Sequence, residues 1–389
     1  MRASCGARPW RRWMAPGDPR MTDGKVTPAR RGVLAGLAAM AGLTGGRGLA
    51  QGQDLIAASR RETGLRVYSN MAEYNWREIL EGFKRRYPWI RVETLDMGPT
   101  EAFERYYAET SARRASADMI VSSAPDAWLR FAQRRAAAGY RSPEEPRLPA
   151  WSLPLPGVYT LSADPMLMVY NKALLDPHQV PTGLNQLTAL AAENPRKFAH
   201  RITTYDASAH ALAYAVHWSA IDQRKPGGWD LMQRLAPYVR VETGGAAMLD
   251  KVTAGEYLVG YHVSAVTVLP QMLTKGRAKI VAWTLCADGT PVVPRGMAVT
   301  AAARNPTSAR LLLDYLLSRD GQIAAAKGGL TPYRSDVRES DVPFLTHDGV
   351  IRRLGGESKV VMVGYDHRMV SQYDAFVARW NGLFHRRRR

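Results

Sequence analysis

The chain has 389 residues, 46% of them hydrophobic and 23% charged, with a formal net charge of +18. That apolar content is too high for an intrinsically disordered chain, and the length accommodates two domains with cores of their own. The charge suggests nucleic acid until it is located. Residues 1–50 hold nine Arg and Lys against Asp18 and Asp23, the last four residues are all Arg, and the remaining body carries only +7. No basic stripe interleaved with aromatics occurs in that body, so no nucleic-acid partner is expected. The excess reads as solvated basic faces or a field that favours anionic ligands.

The N-terminus places Arg30-Arg31 ahead of an apolar, glycine-rich run from Val33 to Leu43, followed by the small residues Gly48-Leu49-Ala50. This order of charge, apolar core and small-residue site predicts a twin-arginine secretion signal over residues 1–50, although Ala29 stands where Ser or Thr is usual. The run is about half the ~20 apolar residues that a membrane span needs, so the mature chain is expected to be a soluble periplasmic protein. Met21 is a plausible true start. With Cys5 in the leader, Cys286 is left without a disulfide partner and reads as a small buried hydrophobe, the alternative being a reactive nucleophile.

The mature chain opens with a strand at Leu65–Tyr68 ending in Ser69-Asn70. A helix follows in which Trp76, Ile79, Leu80, Phe83 and Tyr87 make one apolar stripe before Pro88. Ile90–Leu95 reads as the second strand, Pro99–Arg113 as the second helix, and Ala117–Val121 as the third strand, ending in Ser122-Ser123 ahead of a helix near Pro125. This βαβαβα alternation predicts a parallel sheet. In open α/β sheets ligands collect at the carboxyl ends of strands, where helix N-termini present free N–H groups. Ser69, Asn70, Glu73, Ser122 and Ser123 are therefore candidate ligand-binding residues; the alternative is that they only cap helices.

A proline-rich loop, residues 141–156, leads to two expected strands, Val158–Leu161 and Met166–Tyr170, on either side of Asp164-Pro165. The second is either a crossover between two α/β lobes or a core strand within one. The run Ala163-Asp164-Pro165-Met166-Leu167-Met168-Val169-Tyr170-Asn171-Lys172 resembles the hinge region of periplasmic solute-binding proteins of ABC transporters, in the iron(III)-type extracellular family. Asp288-Gly289-Thr290-Pro291 before a strand at Met297–Thr300, Asn305–Arg310 leading to Leu317–Gln322, and Gly329–Val337 are similar to later segments of that family. The resemblance spans about residues 62–340.

It implies an α/β fold of two Rossmann-like lobes joined by hinge strands, the periplasmic binding protein type 2 architecture. The first lobe would comprise 62–165 and 286–328, the second 166–285 and 329–384, with a basic tail at 385–389. Hinges are expected at Met166–Tyr170 and near Cys286. In the second lobe Ile202–Asp206 reads as a strand followed by a helix with Ala209, Leu212, Ala213, Val216 and Ala220 on its apolar side, capped by Asp206 or Ser208. Tyr257–His262 reads as another strand. From Asn305 a closing helix is expected to run to Gly328-Gly329, and a terminal helix to span Tyr373–Phe384 with Phe376, Val377 and Trp380 on one side.

Asp206, Ser208, Tyr170, Tyr261 and His262 complete the candidate ligand set, the alternative for Tyr261 and His262 being satisfied core residues. Ferric members of the family carry an adjacent tyrosine pair where this chain has Tyr261-His262. One phenol and an imidazole make a poor ferric trap, so no metal and no cofactor are assigned. The expected function is capture of a small-molecule ligand, an organic anion such as a carboxylate or phosphate ester, by hinge closure of a monomer that delivers it to the membrane permease of an ABC importer. The alternatives are a ferric-binding protein, a periplasmic sensor for a membrane receptor, and an exported enzyme on the same fold, for which Cys286 has no recognisable partner.

Overall fold

In the computed structural model, residues 53–274 and 276–385 are described; the expected secretion signal, Cys5 and the four terminal arginines lie outside them. Ten strands form the frame: β1 Leu65–Ser69, β2 Val92–Asp96, β3 Met119–Ser122, β4 Tyr159–Asn171, β5 Ile202–Tyr205, β6 Val239–Glu242, β7 Val259–Ser264, β8 Val281–Thr284, β9 Thr290–Val299 and β10 Val360–Met362. Their order is β2-β1-β3-β9-β4-β7-β5-β6, with β10 beside β9 and β8 beside β4. Two parallel groups, β2-β1-β3 and β7-β5-β6, thus stand on either side of two long antiparallel strands, β9 and β4.

The first group is wound on both faces. Leu65, Val67, Met119 and Val121 turn to a core with Trp76, Ile79 and Phe83, whereas Tyr68 and Ile120 turn to a second core with Phe103, Trp128 and Phe131. Burial on both faces explains why these strands read as nearly continuous apolar runs. The helices Glu73–Arg86, Glu101–Ser111 and Pro125–Gln133 supply the two covers. The second group shares one large core with the terminal helix Tyr373–Phe384, which buries Phe376 and Trp380 as its pattern predicts.

The hinge segment departs from expectation in an informative way. Instead of two strands around Asp164-Pro165 there is one, β4, whose residues 159–169 are buried throughout. Its first part, Tyr159–Pro165, pairs with β9, and from Met166 onward it pairs with β7 and β8. Pro165 has no N–H to give, and it sits at the residue where the strand changes partners, so it costs the ladder little. The second crossing strand is not at Cys286, which lies in a turn held by the Thr290 hydroxyl, but is β9, beginning at Thr290 rather than Met297.

Three further corrections concern helices. The expected helix from Asn305 to Gly328 is two, Pro306–Leu317 and Arg319–Lys327, because Ser318 leaves the helical conformation and its hydroxyl caps the second by accepting from Gly321 N at 3.2 Å. The helix after β5 starts at Ala211, so neither Asp206 nor Ser208 caps it; His210 does, Nδ1 accepting from Ala213 N at 3.2 Å. Ala209 lies outside that helix, and residues 212–221 are buried all round rather than along one stripe. Among the described residues no helix is long and apolar enough to cross a membrane.

Candidate functional site

The carboxyl ends of β1, β2 and β3 bring Asn70, Asp96 and Ser123 to one edge of the first parallel group. Asn70 and Ser123 hold each other: Asn70 Nδ2 donates to Ser123 Oγ at 2.7 Å, and Ser123 N donates to Asn70 Oδ1 at 3.3 Å. The residue that organises them is Arg295 on β9. Its guanidinium is only 3% exposed, Nη1 donating to Asn70 Oδ1 at 2.7 Å and Nε to Asp164 Oδ2 at 3.2 Å. Asp164, 1% exposed, also accepts from Ser162 Oγ at 2.9 Å and Thr331 N at 3.0 Å. Burial lifts the Asp164 carboxyl above its ordinary range, and the Arg295 charge pulls against that.

The same charge reaches across to the second parallel group. Tyr205, the last residue of β5, has its phenol pushed up to about 12 by burial, with the Ser264 N–H and Arg295 acting in the opposite direction. A Cβ at Gly245 would collide with the Tyr205 hydroxyl, so glycine is required where the helix Gly245–Ala254 begins. Burial also raises the Asp96 carboxyl, opposed by Met97 N–H and Arg295, and raises the Tyr74 phenol, aided by Asp96. Arg295 therefore lies within electrostatic reach of Asp96 and Tyr205, and Tyr74 within reach of both, where β4 and β9 cross between the two groups. The two groups touch beside this place: Asn75 Nδ2 donates to Val266 O at 3.5 Å, and Ala211 and Tyr365 pack on the Phe103–Trp128–Phe131 core.

Of the ten residues singled out from sequence, Asn70 bonds Arg295 directly and Ser123 joins it through Asn70. Glu73 is exposed in the first turn of its helix, next to Tyr74. Ser69 and Ser122 are buried and committed: Ser69 Oγ accepts from Trp76 Nε1 at 3.0 Å, and Ser122 Oγ donates to Pro99 O at 2.7 Å. Tyr170 pairs with Val259 at the amino end of β7, five residues beyond the Pro165 partner change. Asp206 turns to the terminal helix, accepting from Ser208 N at 2.9 Å, Ser208 Oγ at 2.8 Å and Trp380 Nε1 at 3.0 Å, with His385 Nε2 at 2.8 Å. Burial pushes its carboxyl up, and these donors together hold it below the ordinary range.

Tyr261 and His262 are fully buried because β7 bulges there: Leu167 faces Val263 and Val169 faces Gly260, so Met168 alone opposes two residues, and His262 takes φ +57°. Their rings meet His217 at centroid distances of 6.1 and 5.4 Å. His217 Nε2 donates to Tyr205 O at 3.0 Å, leaving Nδ1 without a partner, as are both ring nitrogens of His262. Burial drives His217 down to about 3 and His262 well below its ordinary value. The folded state thus refuses protons that the unfolded chain accepts near pH 6.5, so this contribution to stability is complete above that pH. It is lost as pH falls, at about 1.4 kcal/mol per unit for each histidine. Urea unfolding at pH 7 and pH 5 should show wild type losing about 2 kcal/mol that His217→Gln does not lose. Equal pH dependence in the two proteins would contradict a neutral buried pair. The opposite slope of Asp314, whose carboxyl burial raises to about 6, is common to both and cancels.

A family model of bacterial extracellular solute-binding proteins matches residues 78–348. The chain belongs to this family. Solved structures agree in fold with the solute-binding protein described here. The substrate-binding protein of an ABC transporter from Agrobacterium tumefaciens is 23% identical, with a TM-score of 0.73 over 82% of this chain and 95% of that one. AfuA from Actinobacillus pleuropneumoniae, with exogenous fructose-6-phosphate bound, is 16% identical, TM-score 0.60, over 83% and 98%. Iron-bound HitA from Pseudomonas aeruginosa is 15% identical, TM-score 0.63, over 81% and 99%. No curated protein matches the sequence. The family is one of transport proteins that bind small solutes, and the type 2 periplasmic binding fold expected from the hinge motif is the fold of this chain.

Proposed function

We propose that this solute-binding protein captures a small organic anion, a carboxylate or a phosphate ester, between its two parallel-strand lobes and hands it to the permease of an ABC importer. The observation that carries the reading is Arg295, a guanidinium held nearly buried on a crossing strand and aimed at the Asn70–Ser123 pair. Arginine fixed in this way offers directional N–H donors to a carboxylate or phosphate. A relative of the same fold that holds a sugar phosphate is consistent with it.

Residues 62–165 with 286–328 would form the first lobe and 166–285 with 329–384 the second, closing about β4 and β9. Export through the twin-arginine signal would place a monomer in the periplasm. The iron reading is weaker because the Tyr261-His262 pair lies in the core. A thermal-unfolding screen tests the ligand class. A true ligand at a hundredfold excess over Kd stabilises by about 2.7 kcal/mol. Carboxylates or phosphate esters should raise the midpoint; a rise with ferric salts alone would restore iron.

A further inference from the structure

The strand order β2-β1-β3-β9 lays four site residues in a row: Asp96, Asn70, Ser123 and Arg295. Arg295 leans past β3 to reach Asn70 on β1 at 2.7 Å, and so stops one strand short of Asp96, which ends β2 in register opposite Ser69. Neighbouring strands are about 4.8 Å apart, so Asp96 ends its strand roughly one strand spacing from the end of β1, where Asn70 holds Arg295, and within electrostatic reach of that guanidinium. Asp96 is solvent-accessible, and no hydrogen-bonded basic side chain on β1 or β3 neutralises it as Asp164 is neutralised by Arg295. A plain anion seated on Arg295 and Asn70 would meet repulsion from this carboxylate. A solute with a donor a few atoms from its acidic group would turn the same carboxylate into a hydrogen-bond acceptor.

We infer that the solute is an anion that also bears a hydroxyl or ammonium group, and that Asp96 reads that group. This rests on the anion reading above. Asp96 then sets specificity: sites that hydrogen-bond a substrate group discriminate strongly against analogues lacking it.

Two matched series test it by calorimetry: succinate, malate and aspartate, then propyl phosphate, glycerol 3-phosphate and phosphoethanolamine. In at least one series the hydroxylated or aminated member should bind about tenfold or more tighter than its parent. Asp96→Ala should bring that ratio close to one, the parent gaining affinity as the repelling carboxylate is removed. Asp96→Asn separates the two donors: it keeps a preference for hydroxyl and loses one for ammonium. Parents that bind wild type as tightly as their analogues, or a ratio that survives Asp96→Ala, would overturn the role of Asp96 and leave anion capture standing. Failure of all six compounds to bind, with a cationic or neutral solute binding instead, would overturn the anion reading itself and this inference with it.

Discussion

Asn70→Asp abolishes capture of an anionic solute and leaves the fold intact. The side chain is isosteric, and its Oδ1 keeps the bonds from Arg295 Nη1 and Ser123 N; the Ser123 hydroxyl, now an acceptor from Asn70 Nδ2, turns to donate. What changes is charge. A new carboxylate engages the Arg295 guanidinium and stands beside the incoming anion. Two like charges about 4 Å apart at an effective dielectric of about 20 repel by about 4 kcal/mol, so even after screening the affinity should fall by about a hundredfold or more. Calorimetry on wild type and variant reads this directly, with circular dichroism to establish folding. A cationic solute would respond in the opposite sense. An unchanged affinity for anions would remove Asn70 and Arg295 from the site.

Asp164→Ala has the largest expected effect on stability. It strips Arg295 of its buried counter-ion and leaves the Thr331 N–H and Ser162 hydroxyl without their acceptor. Removing one partner of a buried pair costs about 3–5 kcal/mol, because the remaining charge is left in the interior uncompensated. The double variant Asp164→Ala, Arg295→Met should be less destabilised than Asp164→Ala alone, since it removes the orphaned charge as well. It should also lose the solute. Denaturant midpoints of wild type, Asp164→Ala, Arg295→Met and the double variant decide the matter: a double variant whose loss equals the sum of the two single losses would mean that the pair does not act as a unit.

Much of the frame was legible in sequence because it follows local pattern. The stripe Trp76, Ile79, Phe83 gave the helix after β1, and Phe376 with Trp380 gave the terminal helix. The strand ends at Asn70 and Ser123 were found from their turn chemistry. What escaped depends on partners far away in sequence. Arg295 is a lone charge in the apolar run Val292–Val299, and its meaning comes from Asp164, 131 residues earlier. Pro165 reads as a strand breaker until the ladder is seen to change partners there. The bulge that buries both Tyr261 and His262 defeats the simple alternation by which one of them would face the rim. A lone charge within an apolar strand was the one signal in the sequence that could have led to Arg295.

Native mass spectrometry of the protein, recovered from the periplasm with its natural solute still bound, tests anion capture most directly. A small organic anion should be retained, released on denaturation and missing from Asn70→Asp. A retained metal ion or cationic solute, or an anion held equally well by the variant, would contradict it.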